Sequence, residues 1–182
     1  TTVTIDGQSS TGDGDSLLIN GTDGNDTFSF TPTSMKGGTL AMTIGGRAIA
    51  MRLAGMEAFN IDALGDADDT DSLVVHAANA DIVPGDYPGT GKVTAIGAAG
   101  LPRLAVEYAN MESANLQGLS IATFNGTPGD DVLEITPTQV MFYDFFGHSN
   151  VTDLTGAGIV YLHLMDGNDT ITTGIGSGLS HI

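Results

Sequence analysis

A short acidic turn occurs five times in the sequence, and each copy leads directly into an apolar segment. The turn is a Gly or Asp, any residue, an Asp and then a small residue. Each copy places a carboxylate one residue before a predicted strand, at a bend rich in Gly, Asn and Asp. The copies are Asp13-Gly14-Asp15-Ser16-Leu17, Gly24-Asn25-Asp26-Thr27-Phe28, Asp69-Thr70-Asp71-Ser72-Leu73, Gly129-Asp130-Asp131-Val132-Leu133 and Gly167-Asn168-Asp169-Thr170-Ile171.

Two chemical roles suit these aspartates. Asp and Asn side chains hydrogen-bond the neighbouring backbone, so the residues could simply bend the chain. Carboxylate oxygens are also the ligands that Ca²⁺ prefers, and because Ca²⁺ takes about six to eight oxygens, several turns must cooperate to bind one ion. The candidate Ca²⁺ ligands are Asp13, Asp15, Asp23, Asp26, Asp69, Asp71, Asp130, Asp131, Asp166 and Asp169.

The composition supports an acidic, folded protein. Among 182 residues there are 22 acidic and 5 basic side chains, and the net charge is −17. Asp outnumbers Glu by 18 to 4, which favours turns and cation ligands over a merely solubilising surface. The scarcity of Lys and Arg excludes nucleic acid and anionic membranes as partners. The lack of Cys excludes a disulfide scaffold and Cys-based zinc sites.

Targeting signals are not evident. The sequence contains no apolar stretch of transmembrane length and no signal peptide, and it begins at Thr1. We therefore expect a mature or excised segment without membrane insertion, whose Gly-rich tail at 175–182 leads into something larger.

Alternation of apolar and polar residues predicts strands along the whole chain. Three hairpins are expected: at 39–53 around Gly45-Gly46, at 93–108 around residues 97–100, and an aromatic one at 140–154. Pro32 is expected to end the third strand, because proline cannot donate to a strand ladder. Residues 77–92 are the least regular stretch.

The pattern repeats along the chain. Residues 20–26 match 125–131, an offset of 105, and Gly55-Met56-Glu57 finds a counterpart in Asn110-Met111-Glu112. We predict one all-β domain over 1–182, an irregular parallel β-helix or solenoid built from units of roughly 50 residues with inserted hairpins. The alternative is a β-sandwich. The units are approximately 1–62, 63–118 and 119–174, followed by the tail at 175–182.

Residues 21–29 and 126–134 resemble the haemolysin-type (RTX) calcium nonapeptide, G-G-x-G-x-D-x-apolar-x, with Thr in the second Gly position. Residues 165–171 fit from the middle of the motif onward. The resemblance implies stacked turns with Ca²⁺ between carboxylates and Gly carbonyls of adjacent turns. Family members place these nonapeptides in tandem, about every nine residues. Here turns from distant parts of the chain must meet, and Asp15 and Asp26 are the nearest in sequence.

The layout also resembles repeats of very large secreted bacterial surface proteins, whose closing strand is of the G-V-E-x-L-x-I kind, as at 55–61. This resemblance implies an extracellular or cell-surface location and a structural or adhesive role. We therefore expect a non-catalytic, calcium-stabilised, self-assembling or adhesive domain of a surface layer, filament or adhesin. Its partners would be neighbouring copies or the continuation of a larger protein.

Two other functions stay open. A carbohydrate-binding module of a secreted enzyme would use the aromatic cluster of Phe142, Tyr143, Phe145 and Phe146 to bind glycans, although such a cluster is more often core. A β-helix polysaccharide lyase would need a basic residue for proton abstraction, and the only candidates are Lys36, Arg47, Arg52, Lys92 and Arg103.

Overall fold

Strands account for all of the regular secondary structure that is described. The computed structural model describes residues 2–7, 14–65, 69–85, 87, 89–143, 149–153 and 157–174. Within these ranges the chain forms strands and no α-helix, which confirms the predicted all-β class. The candidate ligand Asp13, the loop residues Asp66 and Asp68, the aromatic residues Phe145 and Phe146, and the tail at 175–182 lie outside the described residues.

The strands form two mixed sheets. Sheet A has ten strands in the order β1-β5-β4-β3-β7-β11-β15-β14-β13-β17, and sheet B has seven in the order β16-β12-β8-β9-β10-β6-β2. The strands are β1 (Thr2–Asp6), β2 (Ser16–Asn20), β3 (Thr27–Ser34), β4 (Gly37–Ile44), β5 (Arg47–Ala54), β6 (Ala58–Asp62), β7 (Ser72–His76), β8 (Asn79–Pro84), β9 (Gly91–Ile96), β10 (Val106–Ala109), β11 (Ser113–Gln117), β12 (Ile121–Asn125), β13 (Val132–Ile135), β14 (Gln139–Tyr143), β15 (Ser149–Asp153), β16 (Ile159–His163) and β17 (Thr170–Thr173).

The chain passes repeatedly between the two sheets. In some passes through a sheet the chain contributes a single strand, such as β2, β6 or β7. These single strands pair in parallel with strands from other passes. In other passes the chain contributes an antiparallel meander of three strands: β3–β5 and β13–β15 in sheet A, and β8–β10 in sheet B. The combination of single strands and meanders explains why both sheets are mixed.

The three predicted hairpins are present. Strands β4 and β5 pair around Gly45 and Gly46, whose φ angles of 53° and 73° lie in the left-handed region that a two-residue turn requires. Strands β9 and β10 pair with Val106 opposite Val93, and β14 pairs antiparallel with β15.

Two expectations about strand boundaries are wrong. Residues 77–92 contain the whole of β8 and the start of β9, so this stretch is more regular than its composition predicted. Strand β3 continues past Pro32 to Ser34. Proline is tolerated there because the parallel neighbour β7 pairs only as far as Phe30, which leaves no ladder partner for a donor at Pro32 on that side.

One hydrophobic core joins the sheets. The inward side chains of both sheets are buried, and Phe30 of sheet A packs on Phe59 of sheet B with ring centroids 4.9 Å apart. The largest fully buried side chains include Phe28, Phe30, Leu73, Leu133 and Ile135 from sheet A, and Phe59, Ile61, Ile82, Val93 and Phe124 from sheet B. Burial of this shared apolar surface holds the two sheets together.

Strand pairing repeats at the offset seen in the sequence. Strand β2 pairs with β6 starting from Ser16, and β12 pairs with β16 starting from Ile121, which is 105 residues further on. The pair β3–β7 starts from Thr27, and the pair β13–β17 starts from Val132, again 105 residues later. The two halves of the chain therefore begin these parallel pairs at equivalent residues of β2 and β12 and of β3 and β13.

We predict that Phe59→Ala lowers the free energy of unfolding by about 3–5 kcal/mol, because it leaves a cavity between the sheets. Leu18→Ala is the control, since Leu18 lies on sheet B but is exposed, and its substitution should change stability by no more than about 0.5 kcal/mol. Urea denaturation measures both. Equal effects of the two substitutions would contradict a core at Phe59.

Candidate metal centre

Acidic residues occupy one structural position at each passage from sheet B to sheet A. We call these connections the acidic corners: residues 21–26, 63–71, 110–112, 126–131 and 164–169, of which 66–68 are not described. The last residue of every corner is an acid placed directly before a sheet A strand. These acids are Asp26, Asp71, Glu112, Asp131 and Asp169.

The acids of neighbouring corners are joined by hydrogen bonds. The backbone N–H of Asp26 donates to Asp71 Oδ1 at 2.6 Å, and the N–H of Asp71 donates to Glu112 Oε2 at 2.5 Å. In the second half of the chain, the N–H of Asp131 donates to Asp169 Oδ1 at 3.0 Å. In each bond the earlier residue donates to the later carboxylate. The corners are thereby stacked in two series, and turns distant in sequence do meet.

The two nonapeptide-like turns are closed by hydrogen bonds of their own. Thr22 donates its N–H to Asp26 Oδ2 at 2.6 Å, and its hydroxyl also lies within hydrogen-bond distance of the carboxylate. Gly45 donates its N–H to Asp26 Oδ1 at 3.0 Å. Thr127 makes the equivalent N–H and hydroxyl bonds to Asp131, at 3.0 and 2.8 Å. Threonine in the second Gly position of the motif therefore supplies two donors to the motif aspartate.

Glycine at the first position of these turns makes room for the carboxylate. A Cβ on Gly21 would lie 2.6 Å from Asp26 Oδ2, and a Cβ on Gly126 would lie 2.3 Å from Asp131 Oδ2. Any larger residue would push the aspartate away from the threonine donors. The Gly-Thr-x-Gly-x-Asp sequence thus encodes a compact hydrogen-bonded turn.

The corner at Asp71 is different, because its carboxylates face one another. One carboxylate oxygen each from Asp69, Asp71 and Glu112 lie within 4.8 Å of one another. Asp71 is completely buried, and its Oδ2 has no hydrogen-bond partner. Both carboxylate oxygens of Asp69 are also buried and without a partner. Buried carboxylate oxygens that lack donors are costly, so this group requires a cation or a proton.

Gly65 shows that the unpartnered oxygens converge on one point. A Cβ placed on Gly65 would lie 2.6 and 2.9 Å from the two Asp69 oxygens and 2.7 Å from Asp71 Oδ2. A side chain at residue 65 would therefore clash with three carboxylate oxygens, so this packing of the carboxylates requires glycine there. We call Asp69, Asp71 and Glu112 the carboxylate cluster.

The electrostatics of the cluster are unfavourable for a bare carboxylate. Burial raises the pKa of Asp71 above its usual value, and the nearby charges of Glu112, Asp69 and Asp26 raise it further. The hydrogen bond from the Asp26 N–H acts in the opposite direction on the same pKa. A bound cation would offset both the burial and the repulsion.

The donor set fits a hard cation. All the groups are oxygens, which Ca²⁺ and Mg²⁺ prefer over nitrogen and sulfur ligands. Three carboxylates supply at most six oxygens, and Glu112 Oε2 and Asp71 Oδ1 already accept backbone N–H groups. The remaining positions of a cation here would be filled by water or by backbone carbonyls.

The structure brings together only some of the predicted ligands. Asp69 and Asp71 lie in the cluster. In contrast, the carboxylate of Asp26 accepts hydrogen bonds from Thr22 and Gly45, and that of Asp131 accepts from Thr127. Asp15 and Asp26 do not form neighbouring turns, because they precede and follow β2 and so lie at its opposite ends. Of the others, Asp130 accepts the N–H of Asn168, Asp169 accepts the N–H of Asp131, Asp23 and Asp166 are exposed, and Asp13 is not described.

Sequence reasoning missed Glu112. A usable signal was present, because Asn110-Met111-Glu112 resembles Gly55-Met56-Glu57 and each triplet puts a Glu directly before a strand. Gly55 and Asn110 both have left-handed φ angles, 70° and 55°, and the Met that follows is buried in both. Glu57 bonds the N–H of Asp15 as Glu112 bonds that of Asp71. The shared feature is an acid preceding a strand, whichever acid it is.

The predicted aromatic cluster is partly core. Phe142 is buried in the shared core, and the Tyr143 hydroxyl donates to Glu134 Oε2 at 3.0 Å. A different concave surface lies at the opposite ends of the strands from the acidic corners. It is a groove of about 640 Å³ whose polar lining is His76, Asn79, Arg103 and Gln117. Arg103 gives this groove a positive charge in an otherwise acidic protein.

We predict that Asp26→Asn destabilises the protein by about 1–3 kcal/mol, because the amide nitrogen cannot accept the N–H of Thr22 or Gly45 and a partly buried donor loses its partner. The control is Asp23→Asn in the same turn, where the side chain is exposed. Urea denaturation in the presence of EGTA measures the effect without any metal. If Asp26→Asn has no effect in EGTA, the turn does not depend on these hydrogen bonds.

No helix among the described residues is long and apolar enough to cross a membrane. Comparison with protein-family models, with curated proteins and with solved structures found no match.

Proposed function

We propose that this chain is a non-catalytic structural repeat domain of an extracellular or cell-surface protein, stabilised by Ca²⁺ at the carboxylate cluster. The observation that carries the proposal is the convergence of three buried, unpartnered oxygens of Asp69 and Asp71 beside Glu112. No donor within the described residues satisfies these oxygens, and we propose that a cation, not a proton, completes the site.

Calcium suits the cluster better than magnesium. Mg²⁺ demands near-ideal octahedral geometry and keeps several of its waters, whereas Ca²⁺ accepts irregular sets of carboxylates at about 2.3–2.6 Å. The cluster draws ligands from two stacked corners, with Asp69 and Asp71 on one and Glu112 on the next. Such an irregular, carboxylate-rich site matches the coordination habits of Ca²⁺.

The role we propose for the ion is structural. Its ligands lie directly before β7 and β11, which pair in parallel in sheet A with Leu73 opposite Ala114. A bound ion would fix the spacing of these two corners and offset repulsion in a chain of net charge −17. Domain stability is therefore the property that the ion would control.

The solenoid form of the fold belongs to the same proposal. Strands from successive passes of the chain pair in parallel, as the single strands β2 and β6 do with each other, and as β6 does with β10, the last strand of the β8–β10 meander. The acidic corners stack beside them. A chain that repeats the same sheet-to-sheet passage and stacks its corners is a β-solenoid, here with meanders inserted in both sheets.

The extracellular location rests on the expected affinity. A site with few protein ligands, completed by water, falls in the weak class of Ca²⁺ sites, with Kd of about 10⁻⁴–10⁻³ M, which is typical of extracellular modules. Such a site would be filled outside cells, where Ca²⁺ is abundant. The acidic surface suits the same environment.

We predict that Ca²⁺ at about 100 times its Kd raises the melting temperature by about 5–10 °C relative to EGTA, since it binds only the folded chain. Asp69→Asn and Glu112→Gln should reduce this shift to less than about 2 °C. Asp6→Asn removes the same charge from an exposed position and should keep the full shift. Differential scanning calorimetry measures all four proteins.

Asp71→Asn separates binding from folding in the same experiment. The amide keeps an oxygen for the N–H of Asp26 and removes a buried charge, so this variant should melt higher than the wild type in EGTA and should not respond to Ca²⁺. An unchanged melting temperature of the wild type between EGTA and saturating Ca²⁺ would refute the calcium part of the proposal.

A second candidate function is binding of an acidic glycan in the Arg103 groove. The groove collects an amide at Asn79, another at Gln117 and the guanidinium of Arg103, groups that hydrogen-bond hydroxyls and carboxylates. A lyase acting on such a glycan would also need a base and an acid in this groove.

For this candidate we predict that isothermal titration calorimetry with acidic oligosaccharides detects binding that Arg103→Gln weakens at least about tenfold, given the strength of paired guanidinium–carboxylate bonds. Lys36→Gln is the control, because Lys36 bonds Glu57 and does not line the groove. Binding that is unaffected by Arg103→Gln, or no binding at all, would remove this candidate.

A further inference from the structure

Core positions are exposed at one end of the two sheets. Strand β17 pairs with β13 as β7 pairs with β3, and in these pairs Ile171 lies opposite Leu133 as Leu73 lies opposite Phe28. Ile171 therefore occupies the inward position that Leu73 occupies 98 residues earlier. Leu73 is fully buried, whereas Ile171 is 39% exposed. The end of the molecule formed by β16 and β17 thus leaves a core position open to solvent.

The other end of sheet A shows the same feature. Strand β1 pairs in parallel with β5, as β11 pairs in parallel with β15, and this places Val3 in the position of Ala114. Ala114 is 6% exposed and Val3 is 43% exposed. The difference arises because β11 also pairs with β7, whereas β1 is the edge strand of its sheet.

The interior of the molecule shows what covers such an edge. The free side of β17 corresponds to the side of β7 that pairs with β11. In sheet B, the free side of β16 corresponds to the side of β6 that pairs with β10, which continues antiparallel into β9 and β8. In the interior, the equivalent edges are therefore covered by the β8–β10 meander and the following strand β11, all within residues 77–120.

A second copy of the chain, docked through its β1 and β2, would not fit the end formed by β16 and β17. Its β1 could extend sheet A from β17, but its β2 would then have to meet β16 directly in sheet B. In the interior, β6 and β12 are separated by the three strands of the meander, about 14 Å at the usual strand spacing. Direct stacking would leave that width of sheet B empty.

From these relations we infer that the β16–β17 end is a docking surface for a further repeat, namely a three-stranded meander of the β8–β10 type followed by a strand of the β11 type. The meander extends sheet B from β16, and the following strand extends sheet A from β17. The acid before that strand lies beside Asp169, as Glu112 lies beside Asp71, and accepts the Asp169 N–H.

The inference deepens the proposed repeat function but does not depend on its calcium. In the carboxylate cluster, Asp69 lies two residues before Asp71. The equivalent residue two before Asp169 is Gly167, so the corner at 164–169 lacks one carboxylate of the cluster. Docking at this end is held by strand pairing and by burial of Ile171. It should proceed equally in EGTA, which allows the two claims to fail separately.

The test is an extended chain in which a second copy of residues 77–120 follows Gly174 in place of 175–182. Residue 77 follows β7 in the native chain, and the offset of 98 puts the added segment in the same register after β17. Hydrogen exchange is followed by mass spectrometry in EGTA, with β6 and β7 as internal references. We expect exchange of the β16 and β17 amides to slow at least about tenfold relative to the native chain, since their opening becomes coupled to the core.

The control carries the same extension with Ile82→Asn, Val93→Asn and Val106→Asn in the added copy only, which removes its core residues without changing its length. This control should leave exchange in β16 and β17 as in the native chain. Ile171→Asn in the extended chain should abolish the protection. Unchanged exchange in the extended chain, or equal slowing by the control, would overturn the inference whether or not Ca²⁺ raises the melting temperature.

Discussion

The hydrogen bond between the N–H of one corner acid and the carboxylate of the next is the interaction on which the rest of this structure depends. Parallel strands need long connections, and the backbone at each connection must find partners outside the sheet ladder. An acid placed directly before a strand meets that need, since its N–H donates to the carboxylate of the next corner and its own carboxylate accepts from the preceding corner. Asp26, Asp71 and Glu112 form such a series.

This arrangement has an electrostatic consequence. Each added corner contributes another carboxylate to the same side of the molecule, and nothing in the hydrogen-bond series neutralises it. Where backbone donors are sufficient, the charge is tolerated, as at Asp26, whose two oxygens accept from Thr22 and Gly45. Where the donors are too few, as at Asp69 and Asp71, oxygens are left unpartnered and the pKa of Asp71 rises. The number of available N–H groups, and not the presence of an Asp, separates a turn from a candidate metal site.

The sequence was most informative where the interactions are local. Alternation located β1 to β3, and Gly45-Gly46 located the first hairpin, because period and turn chemistry act within a few residues. It was less informative at 77–92, where the strand β8 is defined by its pairing with β9 and β12.

The candidate site was predictable only in part for the same reason. The turn motif identified Asp69 and Asp71, but Glu112 lies 41 residues from Asp71 and joins it only through the stacking of corners. The close approach of the Asp69 and Asp71 carboxylates to Gly65 also has no signature in the local sequence pattern. Ligands that are contributed by neighbouring corners depend on the register of parallel strands, and that register is a property of the whole fold.

The polarity of the hydrogen-bond series explains why the nonapeptide-like turn occurs twice, 105 residues apart. Donation always runs from the earlier acid to the later carboxylate, so the first acid of a series has no earlier N–H to accept. Asp26 and Asp131 are those first members, and both turn their carboxylates back onto a threonine of their own corner. The Gly-Thr-x-Gly-x-Asp sequence therefore marks the start of a stack, whereas the later acids, Asp71, Glu112 and Asp169, need no such sequence because the stack supplies their donor.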